Sequence, residues 1–149
     1  MTTTPTADPR IKDVDAIRTA QLFDMAVDLN PRLDHGPGPL GRRTFFGSAG
    51  GSFHGPELHG EVLPGGGDWA LFRPDGTMTL DVRLTLRTHD DALIHMTYGG
   101  RRVASRDYFR TTPVFETGDE RYAWLNDVVC VGSGYLIEGG VAYRVSRVL

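Results

Sequence analysis

Apolar and polar residues alternate through most of the chain, and this pattern predicts β-strands. The alternation is clearest in residues 77–88, where Leu and Val are separated by Thr, Asp and Arg. A period of two places the apolar residues on one face of a strand and the polar residues on the other. A turn at residues 89–91 leads into a second strand at residues 92–98, which Gly99 and Gly100 end. The two strands therefore predict an antiparallel hairpin.

Further strands are predicted where short alternating segments are separated by turns rich in Gly and Pro. These segments are residues 21–29, 42–46, 57–63, 68–73, 108–115 with a bend at Pro113, 121–131, 135–138 and 141–148. Residues 30–40, with three prolines and two glycines, predict a loop, and Gly132-Ser133-Gly134 predicts a turn. Nine or ten short strands without a strong helical period indicate an all-β fold. A closed antiparallel β-barrel leaves an interior for one small ligand.

Composition sets the domain organisation and excludes several function classes. The 149 residues predict a flexible N-terminal tail, residues 1–18, and a single β-barrel domain, residues 19–149. The net charge of −3 favours neither nucleic acid nor an anionic membrane as a partner. No run reaches the roughly 18 apolar residues of a membrane span, and no signal peptide is recognisable, so we expect a cytoplasmic protein. The one cysteine, Cys130, lies in an apolar run and is expected to be buried.

A glycine-rich stretch, residues 50–69, is the densest cluster of special residues. Eight of the 19 glycines fall between positions 47 and 67, together with His54, His59 and two prolines, and the stretch ends on Asp68 and Trp69. Glycine is used where the backbone needs a positive φ or a close approach to another group. Such a density predicts a shaped site or sharp barrel corners.

The same stretch carries a resemblance to a known family. The matching series are GGxFxGPxLxGxVLPGG from Gly50, DW at Asp68, DG at Asp75, LDxR at Leu80, FxTxPxFE from Phe109 and YxWLN from Tyr122. In this order they resemble the DUF3237 family, also called UPF0311, over about residues 20–148. The resemblance implies a closed antiparallel barrel of the calycin-like or allene-oxide-cyclase-like kind, and little about chemistry. One departure is Asp91, which stands where the family has the glycine of an Asp-Gly turn.

Asp81 and Arg83 are the first candidates for catalysis, because they share one polar face of the strand at residues 77–88. Two interpretations are open: a solvent-exposed face, or a polar lumen in which Arg83 binds a carboxylate or enolate oxygen and Asp81 is a general base. If both lie on the outer wall, the site belongs on the opposite face, with Tyr98.

Asp68, Trp69 and His54 are further candidates from the glycine-rich stretch. Asp68 follows three glycines, and only one of Asp68 and Trp69 can face inward, because successive strand residues point to opposite faces. As alternatives, Asp68 caps a turn and Trp69 fills core. His54 is a candidate general base. We predict no metal, because His54 and His59 are five apart and lie on opposite faces of a strand, and no cofactor.

Ligand contacts are predicted for aromatic residues. Tyr122, Trp124 and Asn126 share one face of the predicted strand at residues 121–131, which suits a planar organic ligand and suits core packing equally well. Phe53, inside the glycine-rich stretch, is added to the predicted ligand-binding residues. The chain has no Gly-x-Ser-x-Gly elbow, phosphate-binding loop or dinucleotide-binding fingerprint.

These observations support three hypotheses. The first is a small cofactor-independent enzyme that acts on an aromatic or polyketide-like molecule by acid–base isomerisation, cyclisation, hydration or dehydration. The second is a lipocalin-like binding protein for a small hydrophobic ligand, and the third is a structural subunit with a filled barrel. An ionisable lumen residue without a salt-bridge partner would favour the enzyme. A homodimer is expected under all three hypotheses.

Overall fold

The strands are longer and more numerous than the sequence pattern predicts. The structure, a computed structural model, describes residues 8–149, and these residues contain eleven β-strands and two short 3₁₀ helices. The strands are β1 (Thr19–Leu29), β2 (Leu33–Gly38), β3 (Gly41–His54), β4 (His59–Val62), β5 (Gly67–Phe72), β6 (Met78–Thr88), β7 (Leu93–Val103), β8 (Tyr108–Thr111), β9 (Val114–Glu116), β10 (Cys130–Ile137) and β11 (Gly140–Val148). The 3₁₀ helices are Ala104–Arg106 and Glu120–Asp127.

Eight of these strands close into an antiparallel ring. The order around the ring is β6, β5, β3, β1, β11, β10, β8 and β7, and pairing of β7 with β6 closes it. The three other strands extend the wall: β2 pairs with β3, β4 continues the place of β5 between β3 and β6, and β9 continues the place of β8 along β7. The predicted fold class, an all-β closed antiparallel barrel, is confirmed.

The alternation of β6 shows which face looks inward. Leu80, Val82, Leu84 and Leu86 are all buried, whereas Asp81 and Arg83 between them are exposed. The apolar face is therefore the inner face of the barrel wall, and burial of these side chains is the driving force for closing the ring.

The interior has a packed half and a hollow half. In the packed half the Phe23 ring contacts Phe53 and Phe115, with ring centroids 5.2 Å and 5.8 Å away. Leu86 and Leu125 are fully buried members of the same core. The hollow half contains a cavity of about 280 Å³. One end of the barrel thus forms the packed core that stabilises the fold, and the other end contains the internal space.

The prediction of one strand at residues 121–131 is wrong. Residues Glu120–Asp127 form a 3₁₀ helix, which begins where the Asp119 carboxylate accepts the Arg121 N–H. The side chain of Asn126 pairs with both backbone groups of Thr117, at 2.8 Å and 3.0 Å, and holds the helix against the end of β9. These hydrogen bonds favour the 3₁₀ helix, although the spacing of Tyr122 and Trp124 is that of one face of a strand.

The structure also differs from the prediction at Gly99 and Gly100, at residues 132–134 and in the loop at residues 30–40. The loop contains β2, and Gly99 and Gly100 lie inside β7. Gly132-Ser133-Gly134 is part of β10, not a turn. A Cβ at Gly134 would lie 2.8 Å from the Phe109 ring, so this glycine makes room for a side chain of the neighbouring strand. Asp91 adopts a φ of 72°, which glycine adopts without strain.

The predicted tail, residues 1–18, lies partly outside the described residues. Residues 8–18 are exposed and precede β1, and the prediction that this tail is flexible stays a prediction. Within residues 8–149, no helix is long and apolar enough to cross a membrane. The homodimer and the cytoplasmic location stay predictions as well.

The division into a packed and a hollow half predicts unequal costs for one substitution at two positions of β6. Leu86→Ala removes contacts in the packed half and should lower the free energy of unfolding by about 2–5 kcal/mol. Leu80→Ala lies at the cavity, where one side of the leucine already lacks partner atoms. Leu80→Ala should therefore lower the free energy of unfolding by at least ~1 kcal/mol less than Leu86→Ala does, because it creates little new cavity. Urea unfolding followed by circular dichroism measures both. Equal losses would contradict a hollow half.

Candidate functional site

The cavity in the hollow half is the candidate site. It is lined mainly by aliphatic and phenylalanine side chains, and it reaches solvent at the end of the barrel where β6 begins and β7 ends. The polar or ionisable side chains that line it are Arg32, Ser48, Asp68, Tyr98, Arg102 and Tyr143. An apolar cavity with a few converging polar groups is the usual form of a small-molecule site.

The volume indicates the size of the ligand. A dry, apolar cavity of ~150 Å³ in another protein accepts benzene. The cavity here, at about 280 Å³, is nearly twice that size. It therefore suits an apolar group with the size of two fused rings, provided that the polar part of the ligand lies at the mouth.

Asp68 reaches the cavity because two glycines let β5 approach its neighbours. Gly66 has a φ of +67° and Gly67 a φ of +149°, conformations that side chains rarely allow. A Cβ at Gly67 would collide with the carbonyl oxygen of Phe46 on β3. Asp68, the next residue, pairs with Phe46 and Val82 and points with them into the barrel.

The Asp68 carboxylate accepts a backbone hydrogen bond from β6. The pairing of β5 with β6 is interrupted between Asp68 and Leu71. In this gap the Asp81 N–H donates to Oδ1 of Asp68 at 2.9 Å. The side chain thus takes the place of a missing backbone acceptor, which fixes the orientation of the carboxylate.

Burial raises the pKa of Asp68 to about 6, and the nearby charge of Asp81 adds to this rise. The hydrogen bond from the Asp81 N–H and the positive charge of Arg43 oppose it. No salt bridge within residues 8–149 includes Asp68. A carboxyl group with a pKa near 6 is mostly ionised at neutral pH and is easily protonated, as a general base requires.

Two tyrosines lie on the wall of the same cavity. Tyr98 on β7 and Tyr143 on β11 meet edge to face, with ring centroids 5.2 Å apart. Burial raises the pKa of both phenols, and the negative charge of Asp68 raises both further. The interaction of the two hydroxyls raises the pKa of Tyr98 and opposes the rise for Tyr143. Both phenols therefore remain protonated at neutral pH.

Two arginines lie at the mouth of the cavity. Arg32 follows the end of β1, and Arg102 is the second-last residue of β7. Arg32 is exposed and Arg102 is half-buried. The cavity therefore combines a negative group on the inner wall with positive groups at the rim.

Asp81 and Arg83 do not line the cavity, and the polar-lumen interpretation is wrong. Their side chains are 58% and 57% exposed on the outer wall and lie 4.0 Å apart. The register of β6 places the Leu/Val face inside, so these two residues point to solvent. The alternative, a site on the opposite face with Tyr98, agrees with the geometry.

The aromatic residues of the glycine-rich stretch also lie outside the cavity. Trp69 is on the outer wall, where it packs against Phe45 at 4.8 Å with Arg83 5.5 Å above its ring. Phe53 belongs to the packed half, against Phe23. Asp68 is thus the inward member of the Asp68–Trp69 pair, and Trp69 has no access to a ligand in the cavity.

His54 is exposed at the end of β3, away from the cavity. Its ring lies 5.6 Å from that of His59, which stacks on His89 at 4.0 Å. His54 and His59 pair directly across β3 and β4, so the prediction that they lie on opposite faces of one strand is wrong. Across the part of the chain that the structure describes, no three His, Cys, Asp or Glu side chains converge as a metal site requires.

Tyr122, Trp124 and Asn126 are structural residues of the 3₁₀ helix. The Tyr122 hydroxyl donates to Asp90 in the β6–β7 turn at 2.8 Å, and Asn126 pairs with Thr117. Trp124 is half-buried beneath Arg147. Since they belong to a helix, they do not share a strand face, and they do not line the cavity.

Sequence reasoning missed Tyr143, Arg102 and Arg32. Tyr143 lies between Val141 and Val145, so its hydroxyl occupies the inward phase of β11, and this was a usable signal. Arg102 is in the same phase as Tyr98, but the strand was predicted to end at Gly99. Arg32 lies in a loop and carries no periodic signal.

Comparison with known proteins identifies relatives along nearly the whole chain. Residues 18–148 match the family described as "Protein of unknown function (DUF3237)", which confirms the resemblance. The UPF0311 protein RPA1785 from Rhodopseudomonas palustris is 28% identical over 149 residues, which covers 89% of this chain and 97% of that protein. A beta-barrel like protein (ABAYE2633) from Acinetobacter baumannii AYE superposes with a TM-score of 0.86 and 30% identity, covering 92% of this chain and 99% of that one.

A more distant structure shares the fold. An enzyme from Penicillium herquei superposes with a TM-score of 0.77 at 21% identity, over 93% of this chain and 98% of that one. At this identity the likeness shows the barrel architecture alone.

The raised pKa of Asp68 predicts that Asp68→Asn stabilises the protein at neutral pH. The folded pKa of about 6 lies above the ordinary value of 3.8, so ionisation of Asp68 destabilises the folded state. The penalty is absent below about pH 4, grows as the pH rises and is complete above about pH 7. There it amounts to on the order of 2–3 kcal/mol. Asparagine keeps an oxygen that can accept the Asp81 N–H.

Urea unfolding of wild type and Asp68→Asn between pH 4 and pH 8 measures this difference. Asp28→Asn, at an exposed carboxylate on β1, is the matched control and should show little difference. A variant that is equally or less stable than wild type at pH 8 would contradict the buried, ionised carboxylate.

Proposed function

We propose that this chain, which belongs to the DUF3237 family, is a small cofactor-independent enzyme that moves a proton on a cyclic organic substrate. The observation that carries the proposal is Asp68, an ionisable group on the wall of an apolar cavity, without a salt bridge in residues 8–149 and with a pKa raised to about 6. Perturbed titratable groups in a cleft are characteristic of catalytic sites. Isomerisation, cyclisation and addition or elimination of water all use this chemistry.

In the proposed mechanism Asp68 is the general base. It removes a proton from a carbon next to a carbonyl group of the bound substrate, and the C–H electron pair moves into an enolate. The Tyr143 hydroxyl donates a hydrogen bond to the enolate oxygen, and Tyr98 holds the Tyr143 ring in place by edge-to-face packing. The protonated Asp68 then returns the proton to another carbon, or to a leaving hydroxyl group. No electrons are gained or lost overall, so no redox cofactor is required.

The apolar wall supports this mechanism energetically. A phenol that donates to a developing negative charge in a site with little water stabilises that charge far more than it would in bulk solvent. Both phenols stay protonated near neutral pH because burial raises their pKa. They therefore act as hydrogen-bond donors.

The alternative functions fit the cavity less well. A lipocalin-like carrier needs the apolar space, but a buried carboxyl group without a salt bridge would weaken binding of a hydrophobic ligand and lower stability. A structural subunit would have a filled barrel, whereas half of this interior is a cavity of about 280 Å³. The enzyme from Penicillium herquei has the same barrel architecture, which supports catalysis and leaves the substrate open.

Deuterium exchange into a bicyclic ketone tests the proposal. 2-Tetralone has the two-ring size that suits the cavity and carries acidic protons beside its carbonyl group. Wild type in D₂O should accelerate the exchange about 10²-fold or more over buffer. The rate should rise with pH through about 6, as Asp68 becomes ionised. Proton NMR spectroscopy follows the loss of the signal.

Asp68→Asn should reduce this exchange to the buffer rate. Asp81→Asn is the matched control, because Asp81 is a neighbouring carboxylate whose side chain is exposed. It should keep the activity, with the rise in rate shifted to lower pH because the charge of Asp81 raises the pKa of Asp68. Equal exchange by Asp68→Asn and wild type would exclude Asp68 as the base. Loss of exchange in Asp81→Asn, with exchange retained in Asp68→Asn, would place the catalytic base on the outer wall.

Tyr143→Phe tests the hydrogen-bond donor. The substitution keeps the ring and the shape of the cavity but removes the hydroxyl, so exchange should fall by about 10²-fold. Tyr135→Phe, at an exposed position on β10, is the control and should exchange as wild type does. Unchanged exchange by Tyr143→Phe would mean that another group stabilises the enolate.

A further inference from the structure

We infer that the mouth of the cavity selects organic acids, with the carboxylate held between Arg32 and Arg102 and the ring system inside the apolar cavity. This inference names the substrate class of the proposed enzyme and rests on the same site. It is carried by the position of the two arginines in the ring, by their lack of protein partners and by their separation from Asp68.

Arg32 and Arg102 lie on opposite walls of the mouth. Arg32 lies in the short link between β1 and β2, three residues after Leu29, and Arg102 is near the end of β7. Around the closed ring, β1 and β7 are four strands apart in either direction, through β3, β5 and β6 or through β11, β10 and β8. Both side chains line the same cavity. A group that leaves the cavity therefore passes between two positive charges.

Neither guanidinium group forms a salt bridge or a hydrogen bond with the described residues, and the Arg32 charge lowers the pKa of Asp34. In the described chain, from residue 8 to residue 149, eight arginines form salt bridges: Arg10, Arg42, Arg73, Arg83, Arg87, Arg121, Arg144 and Arg147. Arg43, Arg101 and Arg110 donate to backbone carbonyls. Arg32 and Arg102 do neither within these residues.

The placement of Arg102 separates it from ordinary surface charges. It is half-buried and belongs to the inward phase of β7, four residues after Tyr98. It pairs with Met78 on β6 and Phe109 on β8, both of which also line the cavity. Its neighbour Arg101 is exposed and points outward. An inward arginine beside apolar side chains is a costly position unless a ligand uses the charge.

The arginines are also separate from the carboxylate in the cavity. Neither mouth arginine forms a salt bridge with Asp68 or with another carboxylate among residues 8–149. The positive charge at the rim is therefore available to a ligand. A carboxylate bound there lies away from Asp68, so the two negative groups do not compete for one position.

A comparison of 2-naphthoate with 2-naphthamide tests the inference. The two probes have the same rings and nearly the same shape, and they differ in charge. Wild type should bind 2-naphthoate roughly tenfold or more tightly at low salt, because charge-assisted hydrogen bonds to guanidinium exceed neutral ones. High salt should reduce this preference, since the mouth is exposed to solvent. Isothermal titration calorimetry measures both affinities.

Arg32→Gln and Arg102→Gln should each reduce the preference, and the double variant should abolish it while leaving the affinity for 2-naphthamide within about twofold of wild type. Arg101→Gln is the matched control and should keep the wild-type preference. Urea midpoints of all variants check that they are folded. Equal wild-type affinities, a preference that survives in the double variant, or the absence of binding of either probe would each overturn the inference.

The test separates this inference from the proposed catalysis. A preference for 2-naphthoate that depends on the arginines, in a protein that does not accelerate exchange of 2-tetralone, would support the acid-binding mouth and reject the enzyme. Exchange that depends on Asp68, without preference for 2-naphthoate, would support the enzyme and reject the acid-binding mouth.

Discussion

The register of β5 between β3 and β6 is the constraint on which the site depends. It turns Asp68 into the barrel and leaves Trp69 on the outer wall, and a shift by one residue would exchange them. The glycines at positions 66 and 67 make this register accessible, because a side chain at Gly67 would collide with the backbone of β3. The hydrogen bond from the Asp81 N–H then aligns the carboxylate. The glycines of this stretch therefore shape the wall, and Asp68 near its end is the ionisable group that they bring to the cavity.

The half-buried carboxyl group of Asp68 lowers stability when it is ionised, and the rest of the barrel offsets this cost. The packed half does so with the ring contacts of Phe23, Phe53 and Phe115 and with fully buried Leu86 and Leu125. Each of these side chains contributes roughly 1.5–3 kcal/mol by burial. The same strands then continue into the hollow half, where packing is incomplete. Separation of the two tasks along the barrel axis lets the site keep an unfavourable charge without loss of the fold.

The sequence predicted the barrel well and the site only in part, for physical reasons. Alternation in β6 identifies a strand with two chemically distinct faces, but it does not say which one is inside when a polar lumen is conceivable. Asp68 was predicted because three glycines precede it. Tyr122 and Trp124 were misplaced because the 3₁₀ helix is set by contacts of Asp119 and Asn126 that alternation does not record. Tyr143 carried a readable signal, a hydroxyl in an apolar phase, that was not used.

Ring closure creates the feature that no local pattern contains. Arg32 and Arg102 are far apart in sequence, and they line one cavity only because β7 pairs with β6 and completes the circle. Closure thereby gives the cavity two different ends, with positive charge at the mouth and Asp68 with the phenols on the inner wall. A ligand with one acidic end and one apolar ring system can enter in one orientation only, with the acid at the mouth. For the proposed reaction, that orientation fixes which ring carbon meets Asp68, so the rim of the barrel would set the position of proton transfer.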